Sequence, residues 1–162
     1  MAEDTYSFQD HYPDDVAHCY GCGRLNEHGH QLKSHWEGEE TVARYTPRPY
    51  DTAIPGYVYG GLIASLIDCH GTGSASAAAA RLEGWDPVAH PTPERELPRF
   101  VTASLHVDYL RPTRLGPELE VRGKIVQATE RKVVVEATLS AEGEITARGK
   151  VVAVRMPEHM VR

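Results

Sequence analysis

The sequence predicts an α+β fold in which a curved antiparallel sheet wraps one long buried helix. Three observations predict it. A proline-free, alanine-rich run from Gly61 to about Ala80 carries almost no charge. Four later segments alternate apolar and polar residues with a period of two. A shorter pair of such segments comes before the run, so the order is hairpin, helix, strands. A helix that is apolar nearly all round needs cover all round, and a curved sheet is the simplest cover.

Each element follows from its residues. Residues 1–18 are polar and read as a flexible or loosely docked lead-in, which leaves 19–162 as one domain. Residues 31–36 and 41–45 predict a hairpin around Gly38. At about 100° per residue, Leu62, Ile63, Leu66, Ile67 and His70 share a bulky helix face. Gly61, Ala64, Ser65, Asp68, Thr72, Ala75 and Ala79 form the opposite, small face. His70 reads as a hydrogen-bonded core residue. Residues 100–110, 118–126, 132–140 and 144–154 predict strands with one polar face. Their short connectors predict a meander of about four strands. The proline-rich stretches 46–55 and 84–98 read as long loops within the domain.

Composition excludes several functions. The chain has 162 residues, with 17 Lys+Arg against 23 Asp+Glu and a net charge of −6. Nucleic-acid coating needs clustered positive charge, so no nucleic-acid partner is expected. The longest stretch free of charged residues, Thr52 to Ile67, contains Pro55 and three glycines. It is not a run of the ~20 apolar residues that span a bilayer, so no membrane partner is expected either. The acidic start MAEDTYSFQD has no basic or apolar leader character, and three cysteines suit a reducing compartment. The expected location is cytoplasmic.

The runs GYVYGGLIASLID (56–68) and TASLHVDYLRPTRLG (102–116) resemble the hotdog-fold thioesterases of the phenylacetyl-CoA, or PaaI-like, type. In that family a His-Gly-Gly turn opens the central helix, and an acid follows eight residues after the first glycine. Here Gly60 and Gly61 open the helix and Asp68 holds the acid position. Thr102 and Tyr109-Leu110-Arg111-Pro112 match the family's following strand, and Cys19-Tyr-Gly-Cys22-Gly23 is similar to the start of a related branch. The chain departs where Tyr59 replaces the histidine, where Ala53 replaces an Asn or Gln, and in a longer loop at 82–99. The resemblance implies hydrolysis of an acyl-CoA to a carboxylic acid and CoA. It implies no cofactor beyond the substrate's own CoA. It also implies a homodimer or dimer of dimers, with the helix start of one subunit facing the acid of another. A hotdog protein that binds acyl-CoA without turnover is the alternative, motivated by the departures at Tyr59 and Ala53.

The residues themselves suit this chemistry. The first N–H groups of a helix have no intrahelical acceptor and carry partial positive charge. Gly60 and Gly61 are thus candidate donors to a thioester oxygen as it becomes an oxyanion. Asp68 is the candidate general base or nucleophile, with Thr102 orienting it or the attacking water. Tyr59 is a candidate pocket wall. Arg99, Arg111, Arg114, Arg131 and Lys132 are expected near the mouth, with Arg111 and Arg114 on the CoA phosphates. Cys19-X-X-Cys22 lacks a second ligand pair with workable spacing, so no metal is expected there. It reads as a tight turn packed on the sheet.

Overall fold

The computed structural model describes residues 6–87, 89–90, 92 and 94–160. Residues 1–5 of the lead-in, and Pro91 and Pro93 of the second loop, lie outside the described residues. The elements are β1 (Ser34–Glu37), β2 (Glu40–Tyr45), α1 (Gly60–Leu82), β3 (Phe100–Tyr109), β4 (Leu119–Ala128), β5 (Lys132–Ala141) and β6 (Glu144–Arg155). All strands join one antiparallel sheet in the order β1-β2-β4-β5-β6-β3. The β1–β2 turn has Gly38 at φ 64°, and the β5–β6 turn has Glu142 and Gly143 at φ 53° and 80°. These left-handed conformations match the twist of two-residue hairpins.

The four late strands are not one meander. β4, β5 and β6 run in sequence, but β3 pairs with β6 at the far edge. Residues 110–118 therefore carry the chain across two strands instead of turning a hairpin at Gly116-Pro117. That connector is held to the segment before α1: the Val58 N–H donates to the Thr113 carbonyl at 2.8 Å.

α1 lies very close to the sheet. A Cβ added to Gly71 would meet the Val151 side chain at 2.5 Å, and one added to Gly149 would meet Ile67 at the same distance. Helix and strand each lack a side chain where the other is bulkiest, so Leu62, Leu66 and Ile67 reach the sheet and are fully buried. Burial of each contributes roughly 1.5–3 kcal/mol.

The lead-in reading needs correction for residues 6–18. Phe8 is 0% exposed, and Tyr12 and Ala17 are buried beside it in the same core as α1. A short helical turn at Phe8–His11 is capped by Ser7, whose side chain accepts from the Asp10 N–H. The Cys19–Gly23 turn packs on α1, not on the sheet: a Cβ at Gly21 would lie 2.3 Å from Cys69 Sγ. Residues 6–32 thus seal the back of α1 from Cys69 to Ala80. Gly60, Gly61, Ala64, Ser65 and Asp68 are left half-exposed. Among the described residues no helix is long and apolar enough to cross a membrane.

A buried polar network ties these layers together. His70 Nδ1 lies 2.9 Å from Ser34 Oγ, and its Nε2 lies 3.0 Å from Thr41 Oγ1. Ser74 Oγ lies 2.7 Å from Thr41 Oγ1 and donates to the His70 carbonyl. Gln9 donates to Ser34 Oγ at 3.2 Å and accepts from the Ser34 N–H at 2.7 Å. Lead-in, β1, β2 and α1 therefore share one satisfied set of polar groups, which is the condition for burying them cheaply.

Burial lowers the pKa of His70 to about 4. The unfolded value is near 6.5, so below that pH the unfolded chain binds a proton that the folded one refuses. Stability should therefore be full above pH ~6.5 and fall by up to about 3 kcal/mol as pH drops toward 4. His70→Gln should be less stable at neutral pH but lose less on acidification. Urea unfolding midpoints of both proteins at several pH values check this, and parallel pH slopes would exclude His70 as a source.

Candidate active site

The half-exposed stripe of α1 carries the candidate groups. The Tyr59 N–H donates to the Asp51 carbonyl at 3.0 Å and so sets the chain's entry into the helix. Asp51 is buried and held by Arg48, whose backbone N–H and guanidinium both donate to it. The first helical N–H groups with an intrahelical acceptor are those of Leu62 and Ile63, onto the Tyr59 carbonyl. Among the described residues, the Gly60 and Gly61 N–H groups donate to no backbone acceptor and point out of the helix start.

Two tyrosines flank these glycines. A Cβ on Gly61 would lie 2.2 Å from a ring carbon of Tyr59, so that ring folds over Gly61 while remaining 56% exposed. The Tyr109 hydroxyl donates to the Gly60 carbonyl at 2.7 Å, tying the end of β3 to the helix start. Tyr109 appeared in the sequence only as the aromatic of a strand ending. Its bond to Gly60 joins positions 49 residues apart, beyond any local pattern. Beside them runs a groove of about 670 Å³, lined by Ile54, Ile63, Tyr109, Leu110 and Arg111 among others. It is mostly apolar and has the helix start at one side.

Asp68 lies farther along the same stripe. Thr102 Oγ1 donates to its Oδ1, orienting the carboxylate from the neighbouring strand. The β3–β6 register shifts between Thr102 and Ser104. Such an irregularity re-aims side chains beside it. Eight residues of helix separate Asp68 from Gly60, which is about 12 Å at 1.5 Å per residue. One small reacting group cannot touch both ends of that span within a single chain.

The expected cluster of cations divides in two. Arg111 pairs with Glu144, and Arg114 is nearby, both bordering a hollow of about 270 Å³ at the end of β3. Arg99 is at the other end of β3, stacked 4.6 Å over the Tyr12 ring. Arg131 and Lys132 are there too, with Lys132 opposite Val154 of β6 and the Arg131 carbonyl accepting from the Arg155 N–H. Sequence proximity to strand ends could not say which end. A second depression, about 370 Å³, lies on the outer sheet face among His106, Arg122, Lys124, Glu136 and Lys150. Its lining includes none of Tyr59, Gly60, Gly61, Asp68 or Thr102.

A thioesterase superfamily model matches residues 55–148. The chain is also 53% identical to a thioesterase superfamily protein from Shewanella loihica, over 89% of this chain and 98% of that one, with a TM-score of 0.66. The chain belongs to the thioesterase superfamily. Its fold, one central helix on a six-stranded antiparallel sheet, is the hotdog fold of that superfamily. A putative thioesterase from Lactococcus lactis shares the fold at 17% identity, covering 73% of this chain and 79% of that one, with a TM-score of 0.56. A thioesterase from Haemophilus influenzae does so at 14% identity, covering 78% and 79%, with a TM-score of 0.60. No curated protein matches. Superfamily membership points to thioester hydrolysis, and the matched span contains Tyr59, Gly60, Gly61, Asp68, Thr102, Arg111 and Arg114.

The two glycines should differ in what they tolerate. A Cβ on Gly60 would meet the Tyr109 ring at 3.5 Å, an ordinary contact, whereas one on Gly61 collides with Tyr59. Gly60→Ala should leave the Tyr59 ring in place. Gly61→Ala should displace it, with stability within about 1 kcal/mol of wild type, because the ring is exposed and free to move. The Tyr59 ring resonances in an NMR spectrum report the difference, and unchanged resonances in Gly61→Ala would refute the packing.

Proposed function

We propose that this protein hydrolyses an acyl-CoA thioester in the manner of the PaaI-like branch, at a site shared between two copies of the chain. The observation that carries this is the stripe itself. It holds unpaired helix-start N–H groups at one end, a threonine-oriented carboxylate about 12 Å away, and only partial cover between them. A second copy packed against the stripe brings its own Asp68 to the first copy's glycines, so each site uses both ends.

The thioester carbonyl oxygen rests on the Gly60 and Gly61 N–H groups, with the Tyr59 ring as a wall. Asp68 takes a proton from water, whose oxygen bonds to the carbonyl carbon, or attacks that carbon itself to give an anhydride that water then opens. In either course the carbon–sulfur bond breaks. The thiolate of CoA leaves and takes up a proton, and the acid is released. Preorganised donors at the oxyanion are worth roughly 3–4 kcal/mol. Thr102 holds the carboxylate in one rotamer. The apolar groove beside Gly60 receives part of the substrate chain, and Arg111 and Arg114 meet the nucleotide phosphates. The chemistry needs no metal or organic cofactor.

The test is thiol release across a panel of acyl-CoAs, from acetyl and aryl to long-chain, with Asp68→Asn alongside. The variant keeps the shape but loses the base and nucleophile, so kcat should fall at least ~10²-fold. KM and the melting temperature should stay close to wild type. A kcat within a few-fold of wild type would remove Asp68 from the mechanism. Acyl-CoA binding without thiol release by the wild-type protein would favour the non-catalytic binder instead. A monomeric mass by light scattering would sink the shared site.

The arginines separate by substrate. Arg114→Ala should raise KM for an acyl-CoA about tenfold with a smaller fall in kcat. Arg111→Ala should do less, because Glu144 already competes for that guanidinium. A short acyl thioester without the nucleotide should be indifferent to both changes. Equal losses on the two substrates would assign these arginines to the fold.

A further inference from the structure

The sealed side of α1 holds a cluster that thioester hydrolysis does not use. Cys69 follows Asp68 on the helix, about 100° round the axis from it, and faces the Cys19–Gly23 turn. The sulfurs of Cys19, Cys22 and Cys69 all lie within 4.8 Å of one another. Those of Cys19 and Cys69 are 3.8 Å apart, too far for a disulfide at ~2.05 Å. It is the separation of two thiolates bound to one tetrahedral zinc at ~2.3 Å each. The sequence argued against a metal because Cys19-X-X-Cys22 lacked further ligands. The fold supplies the third thiol from a helix almost 50 residues away.

Two features suit a metal here. The first is the turn itself: the Gly23 N–H donates to the Cys19 carbonyl at 2.7 Å, which brings the Cys19 and Cys22 sulfurs to the same side. The turn closes tightly enough for this because Gly21 and Gly23 have no side chains: a Cβ on Gly23 would lie 2.5 Å from the Cys19 nitrogen. The second feature is Arg99. Its guanidinium is half-buried over the Tyr12 ring, donates to the Phe100 carbonyl at 2.9 Å, and is stabilised electrostatically by Tyr12 and the three thiols. A half-buried guanidinium stays charged and favours an anion beside it. Three thiolates with a divalent cation sum to −1, which Arg99 cancels. A monovalent ion would leave a buried negative charge.

We propose that Cys19, Cys22 and Cys69 bind one thiophilic divalent d10 cation of the zinc type, with Arg99 as the charge partner of the metal–trithiolate group. Among the described residues no other His, Cys, Asp or Glu atom joins the three within the same distance, so the fourth position is open to water or an external ligand. The ion staples the N-terminal turn to the back of α1 one residue from Asp68. It takes no part in hydrolysis. Hydrogen bonds from Cys22 and Cys69 hold the Cys19 thiol well below the usual range, while Cys22, sharing its proton with Cys19, is raised to about 12. The metal displaces the protons that Cys22 and Cys69 hold, so affinity rises with pH.

The test uses full-length protein, stripped by chelator and kept reduced with a non-thiol phosphine. Cd²⁺ is titrated while ultraviolet thiolate-to-metal charge transfer is read, and Zn²⁺ is then titrated in competition with a chromogenic chelator. One ion per chain, a charge-transfer band and a melting temperature raised by Zn²⁺ are expected. Arg99→Gln should weaken binding by the ~10–100-fold typical of an outer partner, and Cys69→Ser by more. No band in the reduced wild-type protein overturns the proposal, whatever the variants do. So does equal affinity in Cys69→Ser, or a Cys19–Cys69 disulfide that forms readily in a protein binding no metal.

Discussion

The fold depends on how closely α1 can lie against the sheet. Gly71 on the helix admits Val151, and Gly149 on β6 admits Ile67. Without these two gaps the helix would stand off, and the leucines and isoleucine of its bulky face would lose their contacts with the inner strands. Dense packing tolerates little such displacement. Strands on either side of β6 must then bend round a cylinder that nearly touches it.

A single curved layer leaves the back of that cylinder bare. The chain resolves this unequally along the helix. The C-terminal part is closed by residues 6–32, anchored through Phe8, Tyr12 and the Gln9–Ser34–His70 network. The N-terminal part is left with only small residues and one acid. Structure and chemistry are thereby segregated on one element: one end is a core helix, and the other is a surface on which polar groups remain available. The same helix presents Asp68 to the open side and Cys69 to the closed side.

The sequence made some of this legible and hid the rest for physical reasons. The helix was readable because lack of charge and abundant alanine span more than five turns. Strand identities were readable from period-two alternation, but their order was not, because β3 and β6 alternate alike and nothing local names a partner. The buried role of residues 6–18 was hidden by their polar neighbours: Phe8, Tyr12 and Ala17 are spaced without any helical or strand period. His70 was readable as a core residue, since the helix positions one turn from it, Leu66, Ile67, Gly73 and Ser74, are bulky or small and none is charged. At the site, Gly60, Gly61 and Asp68 stood out as helix-start glycines and a lone acid. The proposed sharing of the site between two chains was implied by the family resemblance and agrees with the helix length, and the Thr102 and Tyr109 bonds needed coordinates. The thiol cluster was half visible, because one of its members sits far from the other two in sequence.

Residues 6–32 also have a consequence for how the chain comes into being. They leave the ribosome before the helix they cover and before every strand of the sheet. Until α1 exists, Phe8 and Tyr12 lack the helix face that they cover, and β4, β5 and β6 must still be made before α1 is held from the front. This seal therefore joins a segment made before α1 to the middle of the chain. Contacts between distant segments form slowly, and apolar groups waiting for them are exposed to other chains. The short capped turn at Phe8–His11 and the polar residues between its apolar anchors keep that waiting segment compact and well hydrated. The polarity that hid its role in the sequence protects it during synthesis.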